Sequence, residues 1–117
     1  MGNLPSFSFG EEFKVFLSNL PVKDAQKLMW TIRTVENIGI LESSRLQIIK
    51  RIEKNLFELR SIEGSDIQRG LYFHVQNNRY FISNGFTKKT RKTPTYEIRR
   101  ARQIRHLYME DKNDKGI

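Results

Sequence analysis

Residues 68–84 read QRGLYFHVQNNRYFISN. Two runs rich in β-formers, Gln68 to Val75 and Arg79 to Asn84, flank the turn Gln76-Asn77-Asn78. Aromatic and β-branched side chains suit a pleated, half-buried surface, and asparagine tolerates the left-handed backbone of a tight turn. The stretch therefore reads as a β-hairpin. Alternate residues of a strand face opposite sides, which puts Tyr72 and His74 on one face and Phe73 and Val75 on the other.

Immediately upstream, Leu56 to Arg60 alternates, with Phe57 and Leu59 on one face, and reads as a further strand. Ser43 to Lys54 admits two readings. Leu46, Ile49 and Glu53 have helical spacing with Ser43 or Ser44 as a cap, but the later part can equally run into a strand. Earlier still, Phe13, Phe16, Leu17 and Leu20 fall on one face of a helix over Glu11 to Leu20. Pro21 interrupts, and a second helix over Val22 to Ile38 carries Ala25, Leu28, Met29, Ile32 and Val35 on one side, with Gly39 as its stop. Together they read as a helical hairpin. Ser6 to Phe9 alternates polar and aromatic residues, a short strand. Downstream, Thr93 is a natural N-cap and Pro94 a natural first residue for a last helix, with Ile98, Ala101, Ile104 and Tyr108 as its apolar side.

The predicted order is β-α-α-β-β-β-α. Consecutive strands with short turns imply a mostly antiparallel sheet, and helices on one side of it make the class α+β. The 117 residues are one domain, over 1–109, followed by a polar tail, 110–117, that reads as disordered. There is no cysteine, so disulfides and cysteine-ligated zinc are excluded. His74 and His106 match no metal motif, and neither a Walker loop nor a GxGxxG is present, so no metal or other cofactor is expected. No apolar run is long enough for a membrane helix, and Met1 to Gly10 lacks a basic leader segment, which points to the cytoplasm.

Charge narrows the function. The formal net charge is +8. Residues 1–55 hold eight basic and six acidic side chains, a net of +2, whereas residues 56–117 hold thirteen and seven, a net of +6. Such asymmetry suggests a polyanionic partner. The densest run is Lys88, Lys89, Arg91, Lys92, Arg99, Arg100, Arg102 and Arg105, against the single acid Glu97. Lysines and arginines bind phosphate by charge and by forked hydrogen bonds, and Thr87, Thr90 and Thr93 add hydroxyls. Arg99, Arg100 and Arg102 read equally as a solvated helix face. Arg60 and Arg69 lie in strands between apolar neighbours, placed either to meet a phosphate across the sheet or to pair with Glu58 or Glu63. Tyr72 and Tyr96 lie among the basic residues. Tyr72 is suited to stack a base or to sit in the core with a bonded hydroxyl. A set of Arg, Lys and Tyr suits RNA cleavage, because the ribose 2′-OH is its own nucleophile and the protein has only to align, move protons and stabilise charge.

Several short motifs then occur in a telling order: Leu56-Phe57-Glu58-Leu59-Arg60, Arg69-Gly70-Leu71-Tyr72, Asn84-Gly85-Phe86, Lys88-Lys89-Thr90-Arg91-Lys92-Thr93-Pro94, and Glu97-Ile98 with Ala101. The chain resembles the phage-derived HigB-type host-inhibition toxins of the RelE/ParE superfamily, whose pattern runs L-x-E-L-R, R-x-x-Y, H-G-F, K-K-T-x-K-T-P, E-I-x-x-A. The likeness covers about residues 54–108. It implies a RelE-like fold and a metal-independent endoribonuclease that cuts mRNA on the ribosome. It also implies an antitoxin with a helix-turn-helix domain, through which alone operator DNA is reached. Residue by residue it implies Arg60, Arg69, Lys88 and Lys89 as the active surface, the expected catalytic set; the basic run and the aromatics among it supply Tyr72, Arg91, Lys92, Tyr96, Arg99 and Arg100 as the expected RNA contacts. The chain departs from the pattern at Asn84, where the family has a histidine; asparagine transfers no proton. His106 and Tyr108 occupy helical positions suited to surface and core. The rival functions are a gyrase-poisoning toxin on the same fold and an RNA-binding module without catalysis.

Overall fold

The computed structural model describes residues 4–63, 66–89 and 92–115. The chain runs β1 (Ser6–Phe9), α1 (Glu11–Asn19), α2 (Val22–Ile38), α3 (Ile40–Arg45), β2 (Ile49–Glu53), β3 (Leu56–Glu63), β4 (Asp66–Gln76), β5 (Arg79–Lys88) and α4 (Thr95–Lys115). The strands form one sheet in the order β1-β5-β4-β3-β2. All pairs are antiparallel except β1 with β5. This is the mostly antiparallel α+β architecture with a C-terminal helix that a RelE-like fold requires.

The hairpin of residues 68–84 is β4 and β5, turning at Asn77, whose φ is 51°. Both strands run further than their apolar patterns suggest, and β5 carries on through Gly85 to Lys88. In the ambiguous stretch before Lys54 the strand reading holds: Ile49–Glu53 is the edge strand β2, and Leu46, Ile49 and Glu53 form no helix, the short helix α3 lying before them at Ile40–Arg45. The order is therefore longer than predicted by one helix and one strand. Ser43 is not a cap but a buried residue inside α3. Gly39 ends α2 and starts α3 with φ 91°, a conformation that favours glycine.

Thr93 does not cap α4. The helix starts at Thr95, and the Pro94 carbonyl accepts from the N–H groups of Glu97 and Ile98, which places Pro94 at the cap. The Thr93 hydroxyl is turned to Glu58 instead. α4 runs to Lys115, beyond the boundary at Met109 that the sequence suggests for the folded domain.

The helices do not share one side of the sheet. The inner face packs Leu59, Tyr72, Ile82 and Ile49 against Phe13 of α1 and Leu28, Ile32 and Val35 of α2. The opposite, outer face packs Leu56, Leu71 and Phe86 against Ile98 and Ala101 of α4. Leu71 and Tyr72, neighbours in β4, serve opposite cores, as the pleat demands. A strand buried on both faces reads as a continuous apolar run, which is how Leu71-Tyr72-Phe73 reads.

Candidate functional site

α4 covers only part of the outer face. Beyond Leu56 and Leu71 that face continues into charge. Register places Lys50 opposite Glu58, Arg60 opposite Arg69, and Lys88 opposite Ile67. Directly paired residues of antiparallel strands share a face and stand about 5 Å apart. β2, β3, β4 and β5 thus each deliver one charged residue or more to one patch.

At its floor lies a buried ion pair. Arg69 is 2% exposed and Glu58 1%. One Glu58 oxygen accepts from Arg69 and the other from the Thr93 hydroxyl at 2.7 Å. The carboxylate thereby joins two strands to the segment entering α4. Of the two readings of Arg69, the ion pair with Glu58 is the one realised: its guanidinium is not open to a ligand. Burial pushes its pKa below the ordinary arginine value while Glu58 opposes the shift. The Arg69 Nε has no hydrogen-bond partner among the described residues.

Above this floor are Lys50, Arg60 and Lys88, each at least partly exposed. Arg60 donates from Nε to the Gln47 carbonyl at 2.8 Å, which fixes its side chain at the edge of the sheet. Lys88 has its pKa lowered, first by burial and then by the charges of Arg69, Lys50 and Arg60, with Glu58 acting against them. Such a lysine parts with its proton more readily than a solvated one. Three of the four expected catalytic residues therefore lie together: Arg60, Arg69 and Lys88. Lys89 lies beyond the end of β5 and is exposed.

The expected RNA contacts divide. Tyr72 is 1% exposed in the inner core, against Phe7, Phe57 and Tyr80, with no face free to stack a base. Burial raises its pKa. Tyr96 is 64% exposed and stands with Arg99 and Arg100 around an open cleft of about 550 Å³ between α1 and α4. A hydrogen bond to Glu97 raises the Tyr96 pKa. Arg100 pairs with Glu12 of α1. Lys92 is exposed, and Arg91 and Thr90 lie outside the described residues. Thr87, offered as a phosphate ligand, donates instead to Gln68 at 2.7 Å, as Thr93 does to Glu58.

Other basic residues of α4 hold the fold. Arg102 grips Glu53, with Nη2 to Oε1 at 2.6 Å, and Arg105 donates to the carbonyls of Lys54 and Asn55 at 2.9 Å. Asn84 is 3% exposed, and its amide donates to the Glu97 carboxylate at 3.0 Å and backbone carbonyl at 3.2 Å. At the position where the resemblance sets a histidine, this chain has an anchor for the first turn of α4. His106 pairs with Glu110 on the surface, and Tyr108 packs on Phe73 and Phe81.

Sequence reasoning missed Lys50 and the hub role of Glu58. Lys50 becomes visible only if Ile49–Glu53 is read as a strand, which sets it opposite Glu58. Glu58 is legible in the sequence as a partner for Arg60 or Arg69 but its burial is not, although an acid between Leu56, Phe57 and Leu59 is the signal of a buried charge. Among the described residues no three His, Asp or Glu side chains group to hold a metal ion, and no helix is long and apolar enough to cross a membrane.

No curated protein matches the chain. A family model does, over residues 15–106, a span that runs from the second half of α1 to the middle of α4 and takes in every residue of the charged patch. The chain belongs to the family of phage-derived Gp49-like proteins (DUF891).

Proposed function

We propose that the protein is the toxin of a type II toxin–antitoxin system, a HigB-type, metal-independent ribonuclease that cuts mRNA on the ribosome. The observation that carries this reading is the convergence of Lys50, Arg60 and Lys88 over a buried Glu58–Arg69 pair on a sheet face that α4 leaves uncovered. Such a patch holds one phosphate from several directions while the scaffold beneath it stays rigid.

The chemistry asks for little more. The ribose 2′-hydroxyl gives its proton to solvent as its oxygen attacks the adjacent phosphorus, the bond to the 5′-oxygen breaks, and a 2′,3′-cyclic phosphate and a 5′-hydroxyl result. Arg60 stabilises the extra negative charge of the phosphorane. Lys88, with its depressed pKa, donates a proton to the departing 5′-oxygen. Arg69 acts as a positioning residue: with Glu58 it fixes the strands that carry Arg60 and Lys88. Lys89, Lys92, Tyr96, Arg99 and Arg100 hold the flanking RNA. Arg91 falls in the same motif and takes the same role.

A helix-turn-helix antitoxin covers this basic surface and blocks RNA. The protein works in the cytoplasm, and it reaches operator DNA only through that antitoxin. The deciding experiment is induced expression with mapping of transcript 5′ ends, for the wild type and for Arg60→Ala, Lys88→Ala and Arg100→Ala. New ends within translated messages are expected from the wild type, at reduced level from Arg100→Ala, and ~10²-fold fewer from Lys88→Ala. Arrest of replication before translation, with intact messages, would instead identify a gyrase poison.

A further inference from the structure

The charged patch does not end at Arg60. β2 stops pairing with β3 near Leu59, and the Arg60 side chain leans over that edge to the Gln47 carbonyl. Two depressions meet there, and Arg60 and Gln47 line both. One holds Lys50 and Arg51. The other, about 300 Å³ between α2 and β3, holds Lys27, Trp30, Leu46 and Ser61. Neither is lined by an acidic side chain.

The second depression is built unlike ordinary surface. Trp30 is 62% exposed and Leu46 57%, a large apolar area inside a basic rim. The Lys27 ammonium lies 4.9 Å from the centre of the Trp30 ring. Ser61 is 3% exposed, and its hydroxyl has no hydrogen-bond partner among the described residues. A buried hydroxyl without a partner costs free energy that a bound polar group recovers. An aromatic face, cations on its rim and an unpaired hydroxyl on its floor are what a nucleotide needs: stacking for the base, charge for its phosphate, a hydrogen bond for a polar edge.

We infer that an unpaired base of the bound RNA stacks on Trp30 in the groove between α2 and β3, with the strand bending over Arg60 from the phosphate held at Lys88. The inference rests on the ribonuclease reading and adds a subsite to it on the inner side of the sheet edge. The Lys27 ammonium moves from the indole to the phosphate beside the stacked base. Charge favours this occupant over a protein segment, because all the ionic groups around the two depressions are cationic.

Trp30 is the sole tryptophan of the chain, so its emission reports on this groove alone. The protein is titrated with a short single-stranded oligoribonucleotide blocked against cleavage by 2′-O-methyl groups, with binding read independently from the anisotropy of a label on the oligonucleotide. Saturable quenching of Trp30 is expected, in step with anisotropy. Trp30→Ala should weaken binding about tenfold, and Trp30→Phe should restore most of it. Since Trp30 is largely exposed, neither change should disturb the fold, which circular dichroism checks. On ribosomes Trp30→Ala should raise KM and spare kcat. If the oligonucleotide binds with unchanged emission and equal affinity to Trp30→Ala, the subsite is wrong while the ribonuclease reading stands. Emission that responds only to a protein partner makes the groove a protein-docking surface and overturns the inference. If the oligonucleotide fails to bind by either signal, the subsite falls, and the mapping of transcript 5′ ends decides the ribonuclease reading separately.

Discussion

Glu58 and Arg69 are two charges taken out of water together, each satisfied by the other and by little else. The Thr93 hydroxyl is the remaining support of the carboxylate. Removing one partner leaves the other buried and uncompensated. Arg69→Ala should therefore cost about 3–5 kcal/mol of folding free energy, read from urea unfolding, and a loss of toxicity in that variant reports unfolding as much as chemistry. A double change to apolar residues of similar size should recover most of that stability, and a double variant as unstable as Arg69→Ala would refute the account. Lys88 is the opposite case. Its lowered pKa means that the fold holds its proton less tightly than the unfolded chain does. Stability is therefore withheld while Lys88 is charged and rises as pH climbs through its folded pKa. Lys88→Ala should cut cleavage by ~10²-fold or more and leave stability at neutral pH equal or slightly higher. As a proton donor Lys88 acts only while protonated, so the pH–rate profile should fall on its alkaline side below the ordinary lysine value of 10.5. That limb should vanish from the residual activity of Lys88→Ala.

At the scale of elements, the basic helix α4 is divided in its work. Its apolar side seals one half of the outer face through Ile98 and Ala101. Arg102 and Arg105 fasten it to the β2–β3 turn, and Asn84 fastens its first turn through Glu97. Only the side carrying Tyr96 and Arg99 is left to solvent. The hydrogen bond from Arg102 holds the Glu53 pKa below its ordinary 4.5, against the opposing effect of burial. A carboxylate shifted this way contributes stability that is complete above its unfolded pKa and is lost as pH falls through the lowered folded value. Arg102→Ala should remove that contribution, so the variant should differ most from wild type at neutral pH and converge on it as the solution becomes strongly acid. Melting curves across that range check the sign; a gap that widens toward acid would contradict the pairing.

For the whole molecule, the charges sort by face rather than by sequence. Lys50, Arg60 and Lys88 form one basic tract on the outer face and its edge, whereas on α4 the charge of Arg100 is neutralised locally by Glu12 of α1. A tract of this kind speeds encounter with polyanions and with acidic partners, and the gain is screened by salt. Binding of single-stranded RNA should weaken steeply between 50 and 200 mM salt, values at which ~6 phosphate contacts would lose ~10³-fold. Arg100→Ala should flatten that slope only slightly, because Glu12 already neutralises part of the charge. A slope halved by this one change would mean that Arg100 is a principal phosphate ligand. The α1–β5 contact that brings Glu12 to Arg100 is itself close: a Cβ on Gly85 would stand 2.4 Å from the Phe16 ring, so only glycine lets the helix lie so near the strand.

What the chain alone determined was whatever depends on neighbours in sequence. The apolar periods of α1 and α2, the breaks at Pro21 and Gly39, the hairpin over residues 68–84 and the basic run after Phe86 are local patterns, and each occurs where its residues predict. Segments of mixed period were decided elsewhere. Ile49–Glu53 becomes a strand because β3 offers it an edge, and no spacing within it says so. Which side of the sheet α4 takes depends on Leu56, Leu71 and Phe86 forming a second apolar face once three strands are side by side. The same assembly decides between two identical-looking arginines in strands. Arg69 lies in a central strand and is buried against Glu58, while Arg60 lies where β2 gives out and keeps contact with solvent. Burial and ion pairing are properties of neighbours across strands, brought together by hydrogen-bond register, and register is fixed only when the whole sheet forms.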